Sequence, residues 1–212
     1  MAARLEWHWR RRGERAATAC DPGCIDELAE ILDGLPWVLG GGLAIPFTLG
    51  TFHRQHDDVD LLFDDAAFPA IEAAFARAGY SLWQHYTMSL FGALRGAWHL
   101  RLNEHSLPAR MRRRKLKFRR DDVQQARRLR CVDALPFRIF GSVLHTCDGR
   151  HHIAMQAPIV GHVARSSGGH AIPCLHLSYV AQLKGPRRDP KDLIDFARIR
   201  DVGLLPAGDW GV

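Results

Sequence analysis

The sequence of 212 residues has no apolar run near the roughly 18 residues that a membrane-spanning helix requires. Its first residues, Met1 to Arg10, are charged and lack the apolar region of a secretory signal. Cysteine is scarce, and its five residues are scattered, which fits reduced thiols better than a disulfide framework. These absences exclude the membrane-protein and disulfide-scaffold classes, and we expect a cytoplasmic protein without membrane contact.

Hydrophobic residues make up 47% of the chain and charged residues 25%, the mixture of a soluble domain that can bury a core. The formal net charge of +6 is concentrated, because residues 110–130 hold eleven Lys or Arg against two Asp. Residues 115–119 alternate basic with apolar side chains, which predicts a strand with one cationic face. Two interpretations stay open: an edge strand protected by charge, or a surface that binds RNA phosphates through Arg112–Arg120.

Turn and cap signals predict an α/β first half, irregular β structure in the middle and helices at the end. The predicted helices begin near Asp21, Leu43, Asp64 or Asp65, and Asp189. The predicted strands are Trp37–Leu39, Val59–Phe63, Tyr80–Trp83, Trp98–Leu102, Arg114–Phe118, Phe137–Leu144 and His152–Gln156, with a loop at Ser166–Gly169.

The most informative stretch is the glycine run Gly40–Gly42, followed by Asp58 and Asp60 at the start of a predicted strand. Residues i and i+2 of a strand share a face about 6–7 Å apart, so the two carboxylates would lie side by side. Like charges at that separation require a cation or basic neighbours, and Mg²⁺ binds one or two carboxylates together with substrate phosphates. The glycines would let the backbone approach a phosphate near the N-terminus of the next helix. The pattern therefore predicts a site for a metal ion and a nucleoside triphosphate.

Three motifs carry a resemblance to a known family: Gly41-Gly42-Leu43-Ala44, then Arg54-Gln55-His56-Asp57-Asp58-Val59-Asp60, and a C-terminal pair made of Leu183-Lys184 and Arg188-Asp189-Pro190-Lys191-Asp192-Leu193. This arrangement resembles the nucleotidyltransferase superfamily, which has the DNA polymerase β-like fold, and most closely its aminoglycoside and lincosamide nucleotidyltransferases. The resemblance covers residues 37–78 and, less fully, residues 172–197.

The resemblance implies an α+β fold: a mixed sheet of nucleotidyltransferase type with flanking helices and a short helical C-terminus. It implies a Mg²⁺-dependent transfer of a nucleoside monophosphate, AMP, from a nucleoside triphosphate to a hydroxyl of a small molecule, as in antibiotic adenylylation. Asp58 and Asp60 would hold the metal ion. The expected nucleotide contacts are Gly41, Gly42, Arg54, His56, Lys184 and Lys191.

Members of the superfamily supply a third catalytic carboxylate from a later strand, within a hydrophobic–Asp–hydrophobic triplet. We recognise no such triplet after Gly79, and the candidate for this carboxylate is therefore Glu104, with Asp148 as the alternative. Activity depends on whether one of these two side chains reaches the site.

Three segments follow from this interpretation: a mobile basic arm at 1–19, a nucleotidyltransferase-like domain at 20–165 and a C-terminal helical segment at 166–212 packed on it. The acceptor stays open. Alternatives to a small-molecule acceptor are RNA or protein, as in toxin-type members, or a phospho-sugar, as in fukutin-like phosphotransferases. A further alternative is that the domain is a catalytically silent nucleic-acid-binding module.

Overall fold

A computed structural model describes most of the chain. The described residues are 5–11, 23–56, 58–90, 94–101, 116–120, 129, 131–147, 151–184 and 190–204. The helices are α1 (Gly23–Ile31), α2 (Ala44–Leu49), α3 (Phe68–Arg77), α4 (Leu177–Lys184) and α5 (Pro190–Asp201). The strands are β1 (Leu5–Arg11), β2 (Val38–Leu39), β3 (Val59–Asp64), β4 (Tyr80–Leu90), β5 (Leu94–Arg101), β6 (Leu116–Arg120), β7 (Cys131–Phe140), β8 (Val143–Thr146), β9 (His152–Ala154), β10 (Val160–Arg165) and β11 (Ala171–Leu175).

These strands form one mixed sheet in the order β1-β5-β4-β6-β7-β3-β2-β11-β10, and β8 joins β7 to β9. The pairs β3–β7 and β2–β11 are parallel, and the other pairs are antiparallel. The centre of the sheet therefore consists of β6, β7, β3 and β2, whose strands come from distant parts of the chain. The predicted α+β fold with a mixed sheet is confirmed.

Successive side chains of β3 point to opposite faces of the sheet, so the strand separates two apolar clusters. Val59, Leu61 and Phe63 join the cluster formed with α1 and α3. Leu62 points to the opposite face and joins the cluster formed with α2, α4 and α5. Asp60 has the parity of Leu62, so its carboxylate shares a face with the C-terminal helices.

Most predicted elements of the first half occur within a few residues of their predicted bounds. The prediction of one strand over Phe137–Leu144 is wrong, because Gly141 turns the chain with a φ of 58° and divides β7 from β8. Strands β10 and β11 were not predicted, and they flank the expected Ser166–Gly169 loop.

The first and the last of the three predicted segments each contribute a strand to the sheet. Residues 5–11, assigned to a mobile arm, form β1 and pair with β5. The segment after residue 166 contributes β11 to the central sheet before its two helices begin. Within the described residues, no helix is long and apolar enough to cross a membrane.

Candidate active site

The glycine run lies in the turn that connects β2 to α2, next to the start of β3. The Gly40 amide donates to the Asp60 carbonyl at 2.8 Å, which anchors the turn to β3. Gly41 has a φ of +57°, and a Cβ at this position would lie 1.8 Å from Asp60 Oδ2. A Cβ at Gly42 would lie 2.3 Å from Arg54 Nη2. The two glycines are thus required by close contact with predicted site residues as well as by backbone conformation.

Three carboxylates meet beside this turn. Asp58, Asp60 and Asp133 each offer one ligand atom, and these atoms lie within 4.8 Å of one another. Asp60 and Asp133 are directly paired in the parallel register of β3 and β7, and Asp58 precedes Asp60 by two residues. Asp58 is exposed, Asp60 half-buried and Asp133 buried. Three hard oxygen donors at this spacing fit a divalent cation such as Mg²⁺.

The third carboxylate is Asp133, which the sequence analysis missed. Glu104 and Asp148, the two residues considered for this position, lie outside the described residues. The sequence does contain the expected signal, since Val132-Asp133-Ala134 is a hydrophobic–Asp–hydrophobic triplet. It went unrecognised because the predicted strand began at Phe137, whereas β7 begins at Cys131.

A cation lies against this third carboxylate. Lys117 Nζ is 2.5 Å from Asp133 Oδ1, and the two residues are paired in the antiparallel register of β6 and β7. The Lys117 side chain is only 16% exposed and that of Asp133 2%. A cross-strand row therefore runs Lys117–Asp133–Asp60 over three neighbouring strands.

A second charged group fixes the loop that precedes β3. Asp195 of α5 is fully buried and accepts hydrogen bonds from Arg54 Nε at 2.8 Å and Arg54 Nη2 at 2.7 Å. His53 Nε2 lies 3.0 Å from Asp195 Oδ1, and Lys184 Nζ lies 2.9 Å from Asp195 Oδ2. Burial acts to raise the pKa of Asp195, but the hydrogen bonds from Arg54 and Lys184 outweigh it and lower the pKa. We call His53, Arg54, Lys184 and Asp195 the Asp195 cluster.

Arg54 and Lys184 were predicted to contact the nucleotide, and the structure places both in the Asp195 cluster. Lys184 also donates to Asp192 Oδ1 at 2.6 Å, so it joins α4 to α5. Burial acts to lower the pKa of Lys184, but the neighbouring charge of Asp195 raises it, and the ammonium group stays protonated. Burial acts to lower the pKa of Arg54, but the hydrogen bonds to Asp195 and its charge outweigh burial and raise the pKa, and the charge of Asp58 contributes less. Both cations therefore position the C-terminal helices against the loop that carries Asp58.

His56 is buried between the glycine turn and the Asp195 cluster. A Cβ at Gly42 would lie 2.9 Å from His56 Nδ1, and the His56 ring packs edge-on against His53. Burial, and then the charge of Arg54, lower the pKa of His56 to about 4. The imidazole is consequently neutral at pH 7 and offers a phosphate no positive charge. Lys191, the remaining predicted nucleotide contact, is half-buried in the first turn of α5.

The described part of the basic segment contacts other protein groups. Besides Lys117, Arg119 lies over the Trp83 ring at 4.9 Å. Arg120 donates to Glu27 at 2.9 Å and to the Ala78 carbonyl. The rest of the predicted RNA surface, Arg112 to Lys115, lies outside the described residues.

A mixed sheet that brings a Gly-Gly turn and three carboxylates onto adjacent strands is the arrangement expected of the nucleotidyltransferase fold. Residues 25–92 match the model of the aminoglycoside-2''-adenylyltransferase family, a match that begins in α1 and ends after β4. The lincomycin-bound lincosamide antibiotic adenylyltransferase LnuA superposes with a TM-score of 0.55 at 14% identity, over 87% of this chain and 99% of that one. ANT(2'')-Ia in complex with adenylyl-2''-tobramycin superposes with a TM-score of 0.46 at 18% identity, over 86% and 88% of the two chains.

No curated protein matches the chain in sequence. At 14% identity the likeness to LnuA establishes the fold. The family match adds the segment that carries the glycine turn and the first two carboxylates. Together they confirm the predicted resemblance to antibiotic-modifying nucleotidyltransferases.

Proposed function

We propose that the protein transfers AMP from ATP to a hydroxyl group of a small-molecule antibiotic, in a reaction that requires a divalent cation. The observation that carries this proposal is the group formed by Asp58, Asp60 and Asp133, whose ligand atoms lie within 4.8 Å of one another beside the Gly41-Gly42 turn. The similarity of residues 25–92 to the aminoglycoside-2''-adenylyltransferase family supports an antibiotic as the acceptor.

The proposed reaction is an in-line displacement at the α-phosphorus. The acceptor oxygen forms the new bond to phosphorus, the bond between the α-phosphorus and its bridging oxygen breaks, and pyrophosphate leaves while the hydroxyl proton is released. When held by the three carboxylates, a divalent cation would neutralise negative charge on the triphosphate. The chain's contribution is to hold Asp58 and Asp60 in a fixed geometry: the Gly41 turn packs against Asp60, and the Asp195 cluster holds the loop that precedes Asp58.

Replacement of the carboxylates tests this function. The protein is incubated with MgCl₂ and α-labelled ATP and with lincomycin or tobramycin as acceptor, and pyrophosphate release and labelled antibiotic are measured. We expect Asp60→Asn and Asp133→Asn each to lower the rate by about 100-fold or more, because the ion they hold contributes several kcal/mol and each 1.4 kcal/mol is tenfold.

Asp64→Asn is the matched control, because Asp64 ends the same strand, is exposed, and caps the following turn through Ala66 N, which an Asn oxygen can also do. Its rate should equal that of the wild type. Full activity in Asp60→Asn or Asp133→Asn, with both variants folded, would exclude the proposed site. Labelling of RNA in place of either antibiotic would move the acceptor to the alternative class.

A further inference from the structure

We propose that Lys117 is a permanent counter-charge of the three carboxylates Asp58, Asp60 and Asp133, and that its positive charge determines how tightly they bind a divalent ion. The inference rests on the proposed function for the presence of the metal site. It adds a residue that lies on a different strand from any of the three carboxylates and that the sequence pattern placed only on a cationic strand face.

The first step of the argument is the register of the sheet. Lys117 is directly opposite Asp133 in the β6–β7 pair, and Asp133 is directly opposite Asp60 in the β7–β3 pair. Directly paired residues point to the same face with Cβ atoms about 4.5–5.5 Å apart. Sheet pairing alone therefore places an ammonium group at one end of the row of carboxylates.

The second step is burial. The side chain of Asp133 is 2% exposed and that of Lys117 16%, with Nζ 2.5 Å from Asp133 Oδ1. Water screens such a pair poorly, and a buried carboxylate is stable only beside an opposite charge. Lys117 thus neutralises the charge of Asp133, the least exposed of the three carboxylates, without a metal ion.

The third step is the charge of the whole group. Asp58, Asp60 and Asp133 together carry three negative charges when ionised, and Lys117 offsets one of them. A divalent ion bound among the carboxylates is repelled by this ammonium group at short range. Lys117 therefore holds the group together without a metal ion and weakens metal binding, so that the ion is bound firmly only together with its triphosphate.

The test is a titration of the whole protein with Mn²⁺ alone, without nucleotide, followed by calorimetry or by electron paramagnetic resonance of free Mn²⁺. We expect Lys117→Met to bind Mn²⁺ at least about tenfold more tightly than the wild type, since a nearby unit charge has been removed. Lys117→Arg keeps the charge and should bind within about threefold of the wild type.

Arg119→Met is the matched control. Arg119 lies two residues further on the same face of β6 and loses the same charge, but its guanidinium lies over Trp83. Its Mn²⁺ affinity should stay at the wild-type value. Unchanged or weaker Mn²⁺ binding in Lys117→Met, or equal tightening in Arg119→Met, overturns the proposal.

Two further outcomes are decisive. If Lys117→Met is unstable without metal, restoration of its melting temperature by Mn²⁺ supports the proposal, and instability that Mn²⁺ does not correct overturns it. The wild type should bind Mn²⁺, and Asp60→Asn should abolish this binding. If either result is not obtained, the metal site of the proposed function is excluded, and the role of Lys117 is excluded with it. Failure of the Lys117 effect with intact Mn²⁺ binding leaves the proposed function standing.

Discussion

At the scale of the residue, the two glycines of the turn after β2 are defined by the side chains they face. Asp60 and Arg54 occupy the volumes in which the Cβ atoms of Gly41 and Gly42 would lie, at 1.8 and 2.3 Å. Sequence reasoning assigned these glycines to phosphate approach, a role that involves only the backbone. The structure adds a second requirement, because any larger residue would displace the Asp60 carboxylate or the Arg54 guanidinium.

Gly41→Ala should therefore destabilise the protein by more than the strain of an alanine in the left-handed conformation would. We expect it to lower the free energy of unfolding by more than the roughly 1–2 kcal/mol of a left-handed alanine, and to weaken Mn²⁺ binding, because Asp60 must move. Gly141→Ala is the matched control: its φ is 58° against 57° for Gly41, and a Cβ there meets nothing within 4 Å. Urea unfolding and Mn²⁺ titration measure both quantities, and equal losses in the two variants would show that contact with Asp60 is unimportant.

Also at this scale, His56 should make stability depend on pH. Its folded pKa of about 4 lies below the ordinary value of 6.5, so the folded state binds the proton less readily than the unfolded state. Stability is therefore complete above about pH 6.5 and falls as the pH is lowered toward 4, by at most about 3 kcal/mol.

The pH effect is measured as the free energy of unfolding at pH 7 and pH 4.5, in the wild type and in His56→Gln. The substitution should reduce the difference between the two pH values. An identical difference in both proteins would mean that His56 is protonated without penalty in the folded state.

At the scale of the element, α5 is coupled to the loop before β3 by one buried carboxylate. The Asp195 carboxylate accepts hydrogen bonds from Nε and Nη2 of Arg54 and forms an ion pair with Lys184 of α4. Two helices and the loop therefore share a single charged group. Sequence reasoning recognised the C-terminal motif and attributed Lys184 and Lys191 to nucleotide contact. It could not recognise Asp195 as the partner of Lys184 and Arg54, because helical position alone does not indicate which distant loop a helix meets.

Asp195→Asn should destabilise the protein by about 3–5 kcal/mol, because it leaves Arg54 without its buried counter-charge and Lys184 with Asp192 alone. The lowered pKa of Asp195 means that its contribution is complete above the ordinary value near 3.9 and is lost as the pH falls below it. Urea unfolding at pH 7 measures the loss. Asp201→Asn, at the exposed end of the same helix, should change stability by less than about 0.5 kcal/mol, and a similar small change in Asp195→Asn would contradict the role assigned to the cluster.

At the scale of the whole molecule, the site is assembled from strands that are far apart in the chain. The row of Lys117, Asp133 and Asp60 exists because β6, β7 and β3 are neighbours in the sheet. The same sheet order also determines which groups the basic side chains of β6 contact. These cations contact Asp133, Trp83, Glu27 and Ala78. Lys117 and Arg119 form the predicted cationic face, opposite the buried Leu116 and Phe118, but β6 lies between β4 and β7, so the edge-strand interpretation is wrong.

The sequence by itself determined the fold class and the first half of the site. Asp58 and Asp60 could be recognised because they are local: a glycine turn, a strand and an i, i+2 spacing are all readable within about twenty residues. Asp133 was also readable as a triplet, but its strand was placed too late in the chain for the pattern to be noticed.

Only the tertiary structure decided which distant side chains complete the site. The pairing of β7 with β3 and of β6 with β7 selects Asp133 and Lys117, and the packing of α5 on the loop before β3 selects Asp195. The physical reason is that sheet register and helix packing are set by burial of apolar faces across the whole chain. Local spacing contains no information about which strand pairs with which, and so none about Lys117 and Asp195 as long-range partners.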